Sequence, residues 1–162
     1  MAAPPYGRSR DLGTLGGATS QAYAISNNRG IVGVADTASG QPHAFFMSVD
    51  AAGTVTSRLD LGTLTGGFSY AYGLNNAADV VGPSGSRAFL WHAGTMIDLN
   101  TRVPSGTGWV LERAWSINSR GQIVGTGLYN GFARGFLLTP ACYANCDGSS
   151  VQPVLNVSDF IC

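Results

Sequence analysis

The sequence predicts an all-β fold built from three repeated units. Short apolar runs bounded by glycine dominate the chain, which has 23 glycines in 162 residues. Apolar residues at helical spacing are hard to find. One block of sequence also occurs three times, in the same order with respect to two flanking landmarks. Together these observations favour a repeat protein made of short strands.

The composition excludes several classes of protein. Nine basic and nine acidic residues give a formal net charge of zero, and charged residues make up 11% of the chain. A nucleic-acid binder needs a basic face, so no nucleic-acid partner is expected. An apolar content of 44% supplies a core and argues against disorder. No apolar run approaches the ~20 residues of a membrane-spanning helix. Residues 1–10 are expected to form an extension without the apolar stretch of a signal peptide.

A strand–turn–strand block is the most regular part of the repeat. Each copy starts at an alanine followed by an aromatic residue and runs without gaps to a Val-Gly pair. Asn and Gly between the two apolar stretches build tight turns, so each block predicts a hairpin. The three copies span residues 22–33, 71–82 and 114–125.

Two further landmarks flank each hairpin. Asp-Leu-Gly-Thr-Leu precedes it at 11–15 and 60–64, with a degenerate copy at 98–101. His43-Ala44-Phe45 follows the first hairpin, and Arg-Ala-Phe and Arg-Gly-Phe follow the others. We therefore expect four strands per unit, with the Asp-Leu landmark first and the Phe landmark fourth. The predicted units are 11–59, 60–97 and 98–140, with inserts at 37–42, 50–58 and 102–108.

This order of motifs resembles the HAF repeat of extracellular bacterial proteins. The resemblance covers residues 11–140 and implies an extracellular or cell-surface location. Four strands in a unit of this length also match a β-propeller blade. Three blades do not close a ring, and open blade edges invite pairing with another chain. Three outcomes remain open: two chains forming a six-bladed ring, an open stack or filament, or a fragment of a longer array. The first two correspond to a homodimer or a higher assembly.

The C-terminal segment 141–162 contains all three cysteines, Cys142, Cys146 and Cys162. This segregation favours a disulfide in a small appendage, with the third cysteine left as a free thiol or paired with another chain. The segment resembles the start of a dockerin-like module in the cysteine-bearing form of secreted planctomycete-type proteins. The resemblance implies a calcium loop, although Tyr143 stands where the first acidic ligand would be. The ligands that it implies are Asn145, Asp147, Asn156 and Asp159.

Catalytic candidates are few. Glu112 is the only glutamate in the sequence, and a glycosidase needs two carboxylates. Asp36 and Asp50, in predicted loops of the first unit, are the available partners. His43 and His92 lie in the predicted fourth strands at different offsets, which does not assemble a zinc or copper site.

Aromatic residues fall into two groups. Six of them are repeat-equivalent and are predicted to form the core between units: Tyr23, Tyr72, Trp115, Phe45, Phe89 and Phe136. Others, among them Tyr6, Phe68 and Tyr70, lie outside that pattern, and four of these others are candidates for ligand binding because flat aromatic faces on loops bind sugar rings by stacking. These candidate ligand-binding residues are Trp91, Trp109, Tyr129 and Phe132.

The sequence thus favours a secreted binding or scaffolding module for a polysaccharide or cell-surface matrix, without catalysis and without a required cofactor. The alternative is a small extracellular carbohydrate-active enzyme with a site between units or at a dimer seam. A third reading is a filament subunit joined through open strand edges and the spare thiol.

Overall fold

A computed structural model describes residues 9–140 as three antiparallel sheets, which we call A, B and C in chain order. Sheets A and B have four strands each, and sheet C has three within these residues. A short 3₁₀ helix, Leu99–Thr101, lies between sheets B and C. The strands are, for sheet A, β1 (Gly16–Ile25), β2 (Gly30–Thr37), β3 (Pro42–Val49) and β4 (Val55–Asp60); for sheet B, β5 (Gly73–Leu74), β6 (Val80–Ser84), β7 (Arg87–His92) and β8 (Thr95–Asp98); for sheet C, β9 (Trp109–Ile117), β10 (Ile123–Tyr129) and β11 (Phe132–Leu138).

The predicted hairpins are confirmed in all three sheets. Each turn places one residue at positive φ at the same position of the repeat: Arg29 at 64°, Ala78 at 66° and Gly121 at 72°. In the second and third copies, the side-chain oxygens of Asn75 and Asn118 accept hydrogen bonds from two backbone N–H groups of the turn. Asparagine at the first turn position therefore holds the turn closed.

The strand order within a unit differs from the prediction. The Asp-Leu landmark does not start a sheet: Asp60 is the last residue of β4 and Asp98 the last of β8, so each aspartate completes the preceding sheet. The Gly62 N–H donates to Asp60 Oδ1, which turns the chain out of the sheet. His43 and His92 consequently lie in third strands, and the predicted insert 50–58 contains most of β4.

The core lies between the sheets. We call the side of a sheet that packs on the next sheet its front, and the opposite side its rear. Val32 on the front of sheet A packs with Val80 and Phe89 on the rear of sheet B. Val81 on the front of sheet B packs with Phe136 on the rear of sheet C. These residues are 7% exposed or less, so the prediction of core between units is confirmed for Phe89 and Phe136. Phe45 is also buried, but within the first unit, on the rear of sheet A.

Leucines that follow the landmark aspartates fill the space between sheets. Leu61 is buried between sheets A and B, and Leu99 between sheets B and C. Leu12 and Leu15 occupy the equivalent place on the rear of sheet A, against Phe45 and two other buried side chains. The same short segment therefore seals each sheet from behind. Within residues 9–140, no helix is long and apolar enough to cross a bilayer.

Candidate functional site: an exposed aromatic face

Three repeat-equivalent aromatic rings form a surface column along the first strands of the sheets: Tyr23 lies in β1, Tyr72 directly precedes β5, and Trp115 lies in β9. The ring centroids of Tyr23 and Tyr72 lie 5.3 Å apart, and those of Tyr72 and Trp115 lie 4.9 Å apart with an interplanar angle of 18°. Tyr23 is 41% exposed and Trp115 is 44% exposed. The rings do contact one another from sheet to sheet, but the prediction that they form a buried core between units is wrong, because Tyr23 and Trp115 are exposed and Tyr72 is only partly buried.

A second row, two residues earlier in each repeat, lies beside the column. It consists of Gln21, Tyr70 and Arg113, one from each repeat. Tyr70 stacks on Tyr72 at 6.1 Å, and the Tyr23 hydroxyl donates to Gln21 Oε1 at 3.0 Å. We call these two rows the aromatic face, whose six residues are Gln21, Tyr23, Tyr70, Tyr72, Arg113 and Trp115. Phe68 extends it at one edge, 5.6 Å from Tyr70.

Glycines at equivalent positions in the second strands bring the backbone under this face. A Cβ on Gly33, Gly82 or Gly125 would lie 1.9, 1.7 or 2.2 Å from the carbonyl oxygen of the facing first-strand residue. Those facing residues are Gln21, Tyr70 and Arg113. The glycine of each Val-Gly pair thus allows the first-strand backbone to approach the second strand closely. This close approach positions the second row of the face.

The first strands of neighbouring sheets also lie against one another. β1 contacts β5, and β5 contacts β9. A Cβ on Gly73 would lie 2.9 Å from Ser116 Cα, so the two backbones approach closely there. The turns at one end are linked as well, because Asn75 Nδ2 donates to the Asn118 carbonyl oxygen and Asn28 Nδ2 to that of Asn76. This contact between first strands brings three separate rings into one column.

The surroundings of Tyr23 and Tyr72 raise the pKa of both phenols. Burial raises the pKa of Tyr23 above 10.0, and the neighbouring phenols of Tyr72 and Tyr70 raise it further. Burial also raises the pKa of Tyr72, an effect that the positive charge of Arg113 opposes. At neutral pH the face therefore offers hydroxyl groups, one amide, one guanidinium and the outer surfaces of stacked rings. Such a surface suits a neutral polyhydroxylated ligand, whose C–H faces meet rings and whose hydroxyls meet polar tips.

Three of the four predicted ligand-binding aromatics lie together, in sheet C. Tyr129 is paired across strands with both Trp109 and Phe132, and the rings of Trp109 and Tyr129 are 5.0 Å apart. Phe132 is 66% exposed and lies 5.8 Å from the Arg134 guanidinium. They belong to strand ends rather than to the predicted loops. Trp91 does not join them, because it stacks on Phe46 between sheets A and B.

The three candidate catalytic carboxylates occupy different places. Asp36 in β2 accepts hydrogen bonds from the backbone and hydroxyl of Thr19, at 3.1 and 2.7 Å. Asp50 accepts the Thr54 N–H in the turn before β4, and this hydrogen bond is the main cause of a lowered pKa. Glu112 lies in β9 and is partly buried. Both aspartates thus have a visible structural role in their turns and strands.

Both histidines are paired with carboxylates. His43 Nδ1 lies 2.9 Å from each oxygen of Asp60, at the end of β4. His92 Nδ1 contacts the buried Asp79, whose other oxygen accepts from Asn75 Nδ2 at 2.7 Å. The burial of Asp79, which is 2% exposed, was not predicted from the sequence. Among residues 9–140, no group of three or more His, Cys, Asp or Glu side chains could hold a metal ion.

The tail predictions lie outside the described residues. These are the cysteine pairing and the calcium ligands of segment 141–162. Comparisons with models of protein families, with curated proteins and with solved structures find no match to this chain.

Proposed function

We propose that this chain is a secreted repeat protein that binds a polysaccharide of the cell surface or extracellular matrix through its aromatic face, without catalysis. The observation that supports this proposal best is the solvent-exposed column of Tyr23, Tyr72 and Trp115. The resemblance of the repeat to extracellular HAF-repeat proteins supports the location. A propeller-like arrangement of the three sheets is part of the same proposal.

The chemistry of the face fits a sugar chain better than a charged or purely apolar ligand. Exposed apolar patches on soluble proteins mark binding sites. Here the rings carry polar tips, and Arg113 is the one charged group among the six residues of the face. Tyr72 has a ring on each side, whereas Tyr23 and Trp115 are 41% and 44% exposed. We expect these two residues to contribute most of the stacking.

The test is retention of the full chain on a panel of insoluble polysaccharides, with soluble sugar measured in the same samples. Trp115→Ala should weaken retention about tenfold or more, since truncating a central aromatic residue of a binding site costs ~1.4 kcal/mol or more. Phe132→Ala, which removes an exposed ring from the separate group in sheet C, is the matched control and should leave retention unchanged.

The outcomes separate the candidates. Retention that Trp115→Ala abolishes, without sugar release, supports the proposal. Retention that depends on Phe132 instead would move the site to the Trp109–Tyr129 group and contradict the assignment. Sugar release that grows with time and is lost in Glu112→Gln would establish the carbohydrate-active enzyme and overturn the binding-only reading. No retention on any polymer would also count against the proposal.

A further inference from the structure

The front of sheet C is an interface surface that the described residues leave uncovered. Val32 and Val81, on the fronts of sheets A and B, are fully buried, whereas the equivalent Val124 is 44% exposed. In the same row, Leu90 is 1% exposed and the equivalent Leu137 is 61% exposed. The side chains have the size and polarity of a sheet-to-sheet contact, and only their neighbour is lacking among residues 9–140.

The rear of sheet A likewise exposes apolar residues whose equivalents in the other sheets are buried. Ile117, on the rear of sheet C, is 6% exposed, and the equivalent Ile25 is 67% exposed. Ala71 and Ala114 are fully buried, while the equivalent Ala22 is exposed. The leucines that seal a rear face are nevertheless already in place there, because Leu12 and Leu15 pack against the rear of sheet A. The rear of sheet A thus has the residues that would pack against the front of another sheet.

The edge of sheet C carries a third, independent sign. In sheets A and B the Phe landmark pairs with the aspartate that ends the fourth strand, Phe45 with Asp60 and Phe89 with Asp98. Within the described residues, β11 pairs only with β10, so Phe136 has no such partner. Asp11 is the repeat equivalent of those aspartates. Its turn is already formed, since the Gly13 N–H donates to Asp11 Oδ1 at 2.8 Å, the same distance as in the copy at Asp60.

The ion pairs at the sheet edges follow the same pattern. His43 contacts Asp60, and Arg87 forms an ion pair with Asp98. The equivalent base in sheet C is Arg134, which contacts the Ala133 carbonyl oxygen and the Phe132 ring and forms no ion pair within residues 9–140. The equivalent acid of the first copy is Asp11. Among residues 9–140, the repeat therefore has a base without an ion-pair partner at one end, Arg134, and an acid without one at the other, Asp11.

We propose that two copies of this chain associate head to tail, with the front of sheet C of one copy covered by the rear of sheet A of the next. Residues 10–11 of the second copy extend sheet C as its fourth strand, with Asp11 opposite Phe136 and beside Arg134. Its Leu12 N–H then donates to the Gly135 carbonyl oxygen, as the Leu61 N–H donates to that of Ala44 at 2.9 Å. A contact of this heterologous kind closes into a ring or grows into a filament, depending on its rotation.

Sedimentation of the full chain over a range of concentrations tests the proposal. The wild-type chain should associate, and Leu137→Glu and Ile25→Glu should each abolish association, because each places a charge in one half of the interface. Leu59→Glu is the matched control. Leu59 is also an exposed leucine on a strand, 43% exposed, but it lies on sheet A away from both proposed surfaces. It should leave association unchanged.

Mixing the two defective variants distinguishes this geometry from other interfaces. Leu137→Glu retains an intact rear of sheet A, and Ile25→Glu retains an intact front of sheet C. An equimolar mixture should therefore associate although neither variant does so alone, which also shows that both variants fold. A wild-type chain that stays monomeric would overturn the proposal. So would association that survives both substitutions, or a mixture in which no association returns.

Discussion

Gly82→Ala is the substitution that joins the fold and the aromatic face most directly. The new Cβ would lie 1.7 Å from the Tyr70 carbonyl oxygen, a backbone atom that cannot move without its strand. The first strand must therefore shift away. Two backbone hydrogen bonds flank this point, from Tyr70 N–H to the Pro83 carbonyl at 3.0 Å and from Tyr72 N–H to the Val81 carbonyl at 2.9 Å.

The cost follows from these contacts. Overpacking of a close contact costs roughly 1–3 kcal/mol, and each weakened hydrogen bond adds about 0.5–1.5 kcal/mol. We expect Gly82→Ala to lower the free energy of unfolding by about 3 kcal/mol, measured by urea denaturation. Gly85→Ala is the matched control: its φ is +60°, but a Cβ there meets nothing within 4 Å, so the backbone strain alone costs ~1–2 kcal/mol. The reasoning is refuted if the two variants are equally stable.

Three further predictions concern the core and the ionisable groups. Phe89→Ala should lower the free energy of unfolding by about 3–5 kcal/mol, because the ring is fully buried between sheets A and B; a loss below ~1 kcal/mol in urea would contradict this packing. Burial raises the pKa of Asp98, but hydrogen bonds from Arg87 and Asn100 outweigh it and lower the pKa below 3.8. The stabilisation from this lowered pKa is thus present above 3.8 and lost as pH falls through the folded pKa. Arg87→Gln should lower the free energy of unfolding by ~0.5–1 kcal/mol at pH 7 and reduce the loss of stability on acidification. An unchanged dependence of stability on acid pH would exclude the Arg87–Asp98 pair as the source of that loss. The raised pKa of Tyr72 means that its contribution to stability is complete below pH 10 and lost as pH rises through the folded pKa, so Tyr72→Phe should flatten the alkaline decline in stability, and an equally steep decline would refute the assignment.

The hairpins could be predicted from the sequence because a tight turn is a local property. Asn75 and Asn118 organise their turns through hydrogen bonds to residues two and four positions away. The position of the Asp-Leu landmark in the fold depends on a contact distant in sequence. Asp60 belongs to sheet A because it pairs with Phe45, fifteen positions earlier, and the repeat alone does not define that strand register. A periodic sequence has no marked beginning. The same residues can therefore be divided into units that start or end at the aspartate.

The aromatic face was missed for a related reason. Tyr23 and Phe45 each recur as an aromatic residue in the other two repeats. Repetition alone does not say which of the two rings is buried and which faces solvent. The neighbours two residues earlier carry that information, because side chains at i and i−2 share a face of a strand. The position two residues before the ring holds a polar residue in two of the three repeats, Gln21 and Arg113. This pattern indicates the solvent-facing side of the strand.

The two proposals concern different surfaces of the same repeat, and the structure gives a reason why they would reinforce each other. The aromatic column grows by one ring with every sheet, because each repeat contributes one ring and the first strands of neighbouring sheets contact each other. Head-to-tail association would place Tyr23 of the second copy beside Trp115, as Trp115 lies beside Tyr72, so the column and the row beside it would continue from one copy into the next, and a ligand would contact their outer side. A ligand with a repeating structure, such as a polysaccharide, would then meet a longer face, and binding would strengthen through multivalency without any new type of contact. Leu137→Glu should accordingly weaken retention on a long polymer while leaving binding of a short oligosaccharide unchanged, whereas Trp115→Ala should weaken both.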